Sequence, residues 1–300
     1  MSRPPAEPAP RLADYAAAVA RLRSRLHAEP AGRPHDQPLV SVVTVCRNAA
    51  VLLPRCLASV SAQTYPWIEH IVIDGASTDG TQALLERSTG LAGWVSEADA
   101  GISDAFNKGL ALCRGSVIGI LNADDEYLPE TVARAVDALA ADAGAGFVFG
   151  DCDFTIDGQV VLHRDGDPAY HRVIDREMPV LNHPTVFVRQ AVYARHGLFR
   201  TDLALAMDYD LLLRFHRAGV RGTRVTRTLA RMALGGITSR RILQAYSEAT
   251  WIAIGHGRRW LPAQLTRIRL SAKPALRLLA IACGARRLRR QRRSEAYSSR

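Results

Sequence analysis

The stretch Ile118-Gly-Ile-Leu-Asn-Ala-Asp-Asp-Glu126 constrains the fold more than any other part of the chain. Residues 117–121 are apolar and rich in branched side chains, and the run is too short for a helix, so it predicts a buried strand. Polar residues follow where this strand ends. In an open α/β sheet, ligands bind beyond the carboxyl ends of the strands, so the stretch predicts a site there.

The polar residues after this strand are Asn122, Asp124 and Asp125. Two adjacent carboxylates repel each other, and a hard divalent cation such as Mg²⁺ or Mn²⁺, shared with a substrate's phosphates, would supply the counter-charge. A solvated acidic turn that caps a helix starting near Pro129 explains the same residues when they are taken alone.

Two further strands have a similar ending. The apolar run that ends at Ile73 is followed by Asp74 and a turn rich in Gly, Ser and Thr, and the run Leu39–Val45 is followed by Cys46-Arg47-Asn48. Helical segments lie between these strands. This alternation predicts a nucleotide-binding α/β domain with a largely parallel sheet.

Length and composition restrict the class of protein. With 300 residues, of which 48% are hydrophobic, the chain suits one large domain with appendages or two small ones. The five cysteines are scattered and form no CxxC, which indicates neither a zinc site nor a disulfide framework. Residues 1–37 contain no apolar leader, and no run reaches the ~18 apolar residues of a membrane span. We therefore expect a cytoplasmic protein.

The net charge of +10 is concentrated at the C-terminal end. Residues 240–300 contain 15 Lys or Arg and two Asp or Glu, whereas the rest of the chain is close to neutral. A nucleic-acid-binding domain would be basic over its body, so no nucleic-acid partner is expected. Arginines interspersed with Trp and Leu suit the surface of an anionic membrane. A helix packed on the domain and followed by a disordered basic end is the alternative.

The pattern divides the chain into three parts. Residues 1–37 are expected to form a Pro-rich tail with a short helix around residues 12–27, packed loosely on the domain. Residues 38–239 form the α/β domain, and residues 240–300 form basic amphipathic helices and a tail. Within the domain, Asp157-Gly158 predicts a hairpin, and residues 184–188 predict a short strand.

Several segments carry a resemblance when they are taken together. The chain resembles the family 2 glycosyltransferases of the GT-A fold, which are inverting enzymes that use nucleotide sugars, between about residues 38 and 238. The similarity is greatest to bacterial transferases that build surface polysaccharides, O-antigens or glycolipids. The resemblance implies a Rossmann-like mixed sheet flanked by helices, here with a basic helical C-terminal tail. The matching segments are Ser41–Asn48, Ile73–Thr81, Ser96–Gly109, Gly119–Glu126, Phe149–Asp151, Asn182–Thr185, Met207–Arg214 and Leu234–Ile237.

The resemblance implies roles for residues on the donor side. Asp74 would accept a hydrogen bond from an N–H of the nucleotide base, because a carboxylate suits a neutral donor. Asp99 would approach the base or the ribose, and Lys108 would offset charge on the diphosphate. The remaining residues implied to line the nucleotide-sugar pocket are Thr44, Arg47, Asn107, Asn122 and Ala123.

The resemblance also implies a metal site. Asn122-Ala123-Asp124-Asp125 occupies the place of the family's DXD motif, with Asn in the first position. Asp124 would then be the main ligand of Mn²⁺ or Mg²⁺, with Asp125 nearby. Asn122 would contact the ribose or support the ligands.

On the acceptor side, Asp208 matches the carboxylate that the family uses as general base. Such a base contributes about 10²–10⁴-fold to the rate. The alternative is that Asp208 caps the helix that runs to Ala218. Asp210 is a second candidate, although only one of the two can point at the acceptor if Asp208 opens the helix. His183 resembles an acceptor-side histidine, and a purely structural role is its alternative.

The implied function is metal-dependent transfer of one sugar from a UDP- or GDP-linked donor to a hydroxyl of a glycan or lipid-linked acceptor. The QxxRW motif of processive synthases is absent. A nucleotidyltransferase is a rival, but Cys46-Arg47-Asn48 is not the Gly-rich basic loop that it needs. A second alternative is an inactive scaffold on the inner face of the membrane. The presence of the carboxylates Asp74, Asp124 and Asp208 is evidence against it.

Overall fold

The computed structural model describes residues 8–22, 26–27, 32–176, 181–235 and 241–270. These residues form a mixed sheet with helices on both faces. The strands are β1 Val40–Cys46, β2 Ile68–Asp74, β3 Gly93–Ser96, β4 Val117–Asn122, β5 Glu126–Tyr127, β6 Ala145–Ile156, β7 Gln159–Arg164, β8 Phe187–Arg189 and β9 Arg221–Ala233. The helices are α1 Ala16–Leu22, α2 Leu53–Ser61, α3 Thr81–Arg87, α4 Ile102–Leu112, α5 Thr131–Ala141, α6 Gln190–His196, α7 Met207–Arg217, α8 Ile242–Gly255 and α9 at residues 260–270.

The strand order is β3-β2-β1-β4-β8-β6-β9-β5, with β7 paired to β6 as a hairpin. The first four strands are parallel, and their register places Cys46 opposite Asp74 and Val45 opposite Asn122. Asp74 in turn lies opposite Ser96 at the end of β3. The predicted α/β class is therefore confirmed, and the polar ends of these strands meet at one edge of the sheet.

The core lies in two layers, one on each face of the sheet. Successive side chains of a strand point to opposite faces, so Val43 belongs to one layer and Val42 to the other. Helices α4 and α7 cover the first face, and α2 and α5 cover the second. Because both faces are covered, the central strands read as continuous apolar runs rather than as alternating patterns.

Some predicted elements differ from the structure. Residues 183–185 form a 3₁₀ turn and the strand begins only at Phe187, because Pro184 cannot donate a ladder hydrogen bond. The strand that the sequence predicts over residues 146–154 is β6, which extends one residue further at its start and two at its end. The two-residue strand β5 lies where only a turn was expected. The sequence also predicts a helix over residues 237–254, and the beginning of this helix lies outside the described residues.

The N-terminal segment packs closely on the domain, which differs from the expected loose tail. Leu22 is buried in the core layer of α4, and the Tyr15 hydroxyl donates a 3.0 Å hydrogen bond to Asp104 Oδ1. The Leu198 N–H donates to the Pro10 carbonyl at 2.9 Å. The predicted domain boundary at residue 38 therefore divides segments that pack against each other.

The C-terminal helices α8 and α9 pack side by side on the domain. Helix α8 buries Ala245, Ala249 and Ile252, and α9 buries Ala263. Residues 271–300 of the predicted basic tail lie outside the described part of the chain. Among the helices that the structure describes, none combines the length and apolar character needed to cross a membrane.

Candidate active site

Asp74 organises the donor edge of the sheet. Its fully buried carboxylate accepts hydrogen bonds from the Ser77 N–H at 3.0 Å and from the Ser96 hydroxyl at 2.7 Å, and a third comes from the Ser77 hydroxyl. These bonds tie the end of β2 to β3 and to the turn that follows. The structure thus gives Asp74 a positioning role at the edge where a base is expected.

Gly75, Arg47 and Asp99 come together beside Asp74. A Cβ placed on Gly75 would lie 2.5 Å from Asp99 Oδ2 and 3.4 Å from Arg47 Cδ, so only glycine leaves room for both side chains. Arg47 is exposed and Asp99 is half-buried. The structure thus brings Arg47 and Asp99 together at the carboxyl edge of the sheet, and their contact with a nucleoside stays a prediction.

Thr44, in contrast, is not part of this group. Its side chain is fully buried on the face of α2, where Oγ1 lies 2.9 Å from His70 Nε2 and 3.6 Å from Cys56 Sγ. Burial lowers the pKa of His70 to about 3. The expectation for Thr44 is not supported, because the alternation of side chains along β1 turns it beneath the sheet.

Asn107 and Lys108 of α4 are also committed to contacts within the protein. Asn107 Oδ1 accepts from the Phe199 N–H at 2.9 Å, and its Nδ2 donates to the Phe199 carbonyl at 2.8 Å. Lys108 Nζ lies 3.0 Å from Glu97 Oε1 and 3.1 Å from Asp104 Oδ2. Both are buried, so neither agrees with the expected contact to the donor.

The acidic stretch after β4 divides into an inner and an outer carboxylate. Asp125 is buried, and it accepts hydrogen bonds from the Ala233 N–H at 3.0 Å and from Asn122 Nδ2 at 3.3 Å. Asp124 is half-buried and faces outward. Burial raises the pKa of Asp124, and burial together with the Asp124 charge raises the pKa of Asp125 well above its usual value.

Asn122 completes this group with an oxygen that lacks a partner. Its Oδ1 is buried without a hydrogen bond, which is costly unless a ligand satisfies it. Asn122 Oδ1 and the outer carboxylate of Asp124 are hard oxygen donors of the kind that Mg²⁺ and Mn²⁺ take. These residues therefore fit a divalent metal. Asp125 supports this pair through the hydrogen bond that it accepts from Asn122 Nδ2, and Ala123 is buried.

Sequence reasoning missed a second polar cluster, formed by Asp151 on β6, His163 on β7 and Asp165 directly after β7. Arg224 Nη2 of β9 lies 2.8 Å from Asp151 Oδ1 and 3.4 Å from Asp165 Oδ1. The guanidinium already supplies the counter-charge that a metal would bring, so the acidic stretch after β4 is the better metal candidate. The sequence gives no signal for this cluster, because Asp151, His163 and Arg224 come from three different strands, β6, β7 and β9.

Asp208 and His183 share a pocket on the face of the sheet that α4 and α7 cover. Burial raises the pKa of Asp208, and His183 partly offsets this rise; burial lowers the pKa of His183. Helix α7 starts at Met207 after Ala206, so Asp208 is not its N-cap residue, although Asp208 Oδ1 accepts a 2.8 Å hydrogen bond from the Tyr209 N–H in the first turn. The pocket is lined further by Ile120, Val186, Val188, Tyr193, Phe199, Leu211 and Leu212.

Asp210 does not face this pocket. It is fully buried, with Oδ2 2.8 Å from Arg214 Nε and Oδ1 3.4 Å from Arg200 Nη1. His256 Nε2 lies 3.5 Å from the same Oδ1. The two arginines hold the carboxylate charged, and the pKa of Asp210 is lowered despite the opposing effect of burial. The expectation that Asp210 contacts the acceptor is therefore not supported, because its carboxylate is held in ion pairs inside the domain.

Glu248 of α8 supports the segment before Asp208, and nothing in the sequence indicated this. Its Oε2 accepts hydrogen bonds from the N–H groups of Ala204 at 3.3 Å, Leu205 at 2.8 Å and Ala206 at 3.1 Å. A carboxylate at the N-terminus of α7 satisfies unpaired donors and complements the helix dipole. Helix α8 thus fixes the backbone that positions Asp208.

Comparison with known proteins agrees with this geometry. A sheet of this order with a polar carboxyl edge is the GT-A architecture, and it is shared with the mannosyltransferase PcManGT from Pyrobaculum calidifontis, solved in complex with GDP-Man and Mn²⁺. That match has a TM-score of 0.57 and 23% identity, and it covers 91% of this chain and 87% of the other. At this identity it establishes the fold alone.

Sequence comparison identifies the family. The chain belongs to glycosyl transferase family 2, whose model matches residues 41–197. An uncharacterized glycosyltransferase of Mycobacterium tuberculosis is 36% identical over 182 residues, which cover 59% of this chain and 68% of that protein. The O-antigen biosynthesis protein RfbC of Myxococcus xanthus is 32% identical over 221 residues, 70% of this chain but 17% of that protein.

Proposed function

We propose that this glycosyltransferase is a metal-dependent inverting enzyme that moves one sugar from a nucleoside-diphosphate sugar to a hydroxyl of a glycan or lipid-linked acceptor. The observation that carries the proposal is the position of Asp208 relative to β4. Asp208 shares a pocket with Ile120, and Asn122 lies two residues further on the same face of that strand. The base candidate therefore lies on the face of the sheet to which Asn122, at the end of β4, also belongs.

The donor would lie along the carboxyl edge of the parallel strands. Arg47 and Asp99 offer the base and ribose their polar side chains, and Asp74 holds the edge in shape. A divalent metal at Asn122 and Asp124 would supply fixed positive charge where the leaving diphosphate becomes more negative. With Lys108 engaged in ion pairs, the chain's own contribution near the phosphates would come from Arg47.

Asp208 would take the proton from the acceptor hydroxyl as its oxygen attacks the anomeric carbon. The new C–O bond forms on the face opposite the leaving diphosphate, so the configuration inverts. A carboxylate with a raised pKa is a stronger base, and Brønsted behaviour makes proton transfer more effective as the pKa approaches the working pH. The acceptor hydroxyl would enter from the side of His183.

The class of acceptor is inferred from the relatives. The similarity to an O-antigen biosynthesis protein supports a role in cell-surface polysaccharide or glycolipid biosynthesis. We propose residues 38–239 as the catalytic domain and residues 240–300 as an appended basic region. Residues 8–22 complete the domain by packing against α4. A lipid-linked acceptor would place the enzyme on the cytoplasmic face of the cell membrane.

Thermal-shift measurements with UDP and GDP, each with and without Mn²⁺, test the proposal. A ligand that binds only the folded state raises the melting temperature by mass action. We expect a rise with one nucleotide that is larger with Mn²⁺ and is reduced in the Asp124→Asn variant. The absence of any nucleotide-dependent shift would overturn the proposal in favour of an inactive scaffold.

A further inference from the structure

Helix α9 carries an exposed apolar stripe. Leu261, Leu265 and Ile268 are 61%, 59% and 60% exposed, which is high for side chains of this size. At about 100° per residue the three lie within about 60° of arc, on one line along the helix. Trp260, also 59% exposed, lies at the beginning of the stripe. Such a row of large apolar side chains is typical of a contact surface.

The opposite side of α9 is fixed to the domain. Ala263, which is nearly half a turn away from the stripe, is buried. Arg267 Nη1 donates to Ser247 Oγ of α8 at 3.3 Å, and Arg258 Nη2 donates to Thr266 Oγ1 at 2.6 Å. The stripe is therefore turned outward by contacts on the other face and does not lie against its own domain.

The charge around the stripe selects the kind of partner. Residues 258–270 contain four arginines and no acidic residue, and residues 271–300 contain nine Lys or Arg and one Glu. A second copy, or the chain's own following segment, would bring like charges together at this face. An anionic surface would bring opposite charges, and a lipid surface also accepts the apolar side chains.

We propose that the face formed by Leu261, Leu265 and Ile268, with Trp260 beside it at the beginning of the helix, binds the surface of an anionic lipid bilayer. The net positive charge of residues 258–300 attracts phosphate-containing headgroups, and the apolar side chains enter the boundary between headgroups and acyl chains. Trp260 lies at headgroup level, where indole rings are enriched. This inference stands on the helix itself and does not require the proposed function.

Helix α8 lies between the stripe and the segment before Asp208. Ser247 holds α9, and the neighbouring Glu248 holds the backbone at residues 204–206, directly before Asp208. The path from the lipid surface to the proposed base therefore crosses one helix. An enzyme held in this way would meet lipid-linked acceptors in the plane of the membrane.

Vesicle co-sedimentation of the full chain tests the inference. We expect the protein to bind vesicles of phosphatidylcholine with 30% phosphatidylglycerol at least tenfold more tightly than pure phosphatidylcholine vesicles. The triple variant Leu261→Ser, Leu265→Ser, Ile268→Ser should lose at least tenfold of that affinity. Because these side chains are exposed, the melting temperature should not change.

Strand β7 provides the matched control. Val160, Val161 and Leu162 are 48%, 51% and 41% exposed, and they belong to the β6–β7 hairpin rather than to the C-terminal helices. The triple serine variant at these three positions should bind vesicles as the unaltered protein does. Equal loss in both triple variants, or unchanged binding in the α9 variant, would overturn the inference.

Two further results distinguish bilayer binding from dimer formation and from the proposed catalytic function. A dimer in sedimentation equilibrium that becomes a monomer in the α9 variant would assign the stripe to a second copy and overturn bilayer binding. The Mn²⁺-dependent nucleotide shift should be the same in the α9 variant and the unaltered protein. Failure of vesicle binding and failure of the proposed function are thus distinguishable.

Discussion

Asp210 Oδ2 accepts a 2.8 Å hydrogen bond from Arg214 Nε, one turn further along α7. This pair is buried, whereas Asp208, two residues earlier, opens onto the pocket shared with His183. Two carboxylates in the first turn of one helix therefore have different tasks. One is held in ion pairs inside the domain, and the other is the proposed base.

Asp208→Asn should abolish transfer and leave the fold intact. Asparagine keeps the size of the side chain but cannot accept the proton of the acceptor, so we expect kcat to fall by about 10²–10⁴-fold. Nucleotide binding, measured by thermal shift with Mn²⁺, should be unchanged. A variant that retains ordinary turnover would rule out Asp208 as the base.

Asp210→Asn should show the reverse pattern. It leaves Arg200 and Arg214 without their buried counter-charge, and removal of one partner from a buried pair costs about 3–5 kcal/mol. Urea unfolding should report this loss of stability. At a temperature where the variant is folded, its specific activity should stay within a few-fold of the unaltered enzyme; a loss as deep as that of Asp208→Asn would place Asp210 in the site.

Lys108→Met should reduce stability rather than affinity for the donor. Lys108 bridges Glu97 and Asp104, so its removal takes the cation away from Asp104, whereas Glu97 keeps its ion pair with Arg21. We expect a loss of about 1–3 kcal/mol in urea unfolding, with the donor KM changed less than threefold. A tenfold rise in the KM for the donor at unchanged stability would instead indicate that Lys108 contacts the diphosphate.

Gly75→Ala should weaken nucleotide binding. The new methyl group would meet Asp99 Oδ2 at 2.5 Å and displace that carboxylate. We expect the Kd of the nucleoside diphosphate to rise about tenfold, equivalent to ~1.4 kcal/mol. Gly255→Ala is the control, because nothing lies within 4 Å of its added Cβ. Equal affinity in the two variants would remove Asp99 from the donor pocket.

His70 should make stability depend on pH. Burial lowers its pKa from 6.5 to about 3, so the folded state binds fewer protons than the unfolded state. Its contribution is fully present above pH 6.5 and is lost as the pH falls toward 3. Between pH 7 and pH 5.5, urea unfolding should show a loss about 1 kcal/mol larger than in a His70→Gln variant. Parallel pH profiles for the two proteins would contradict this.

The sheet and its polar edge could be predicted from the sequence because their signals are local. The apolar run before Asn122 and the one before Asp74 each define a strand, and a parallel sheet brings their ends together. Strand β5 could not be predicted, since its two residues pair with β9 about a hundred positions later in the chain. Pairing over such a separation leaves no local pattern.

The direction of side chains was the weaker part of the sequence-based expectations. Thr44 and Arg47 lie three residues apart, but the first points beneath the sheet and the second outward at its edge. Asn107 and Lys108 match a family segment, yet both bond to other parts of the protein. Family motifs thus located the edge, while tertiary contacts decided which residues are available to a ligand.

The N-terminal segment has a consequence for folding during synthesis. Arg11 donates to the carbonyl of Arg195, 184 positions later, and Tyr15 donates to Asp104, 89 positions later. At about 5–20 residues per second, the ribosome needs on the order of 10–40 s to deliver the more distant partner. The first helix of the chain therefore cannot dock before α4 has been made, and the nascent chain must expose Leu22 until α4 has left the ribosome.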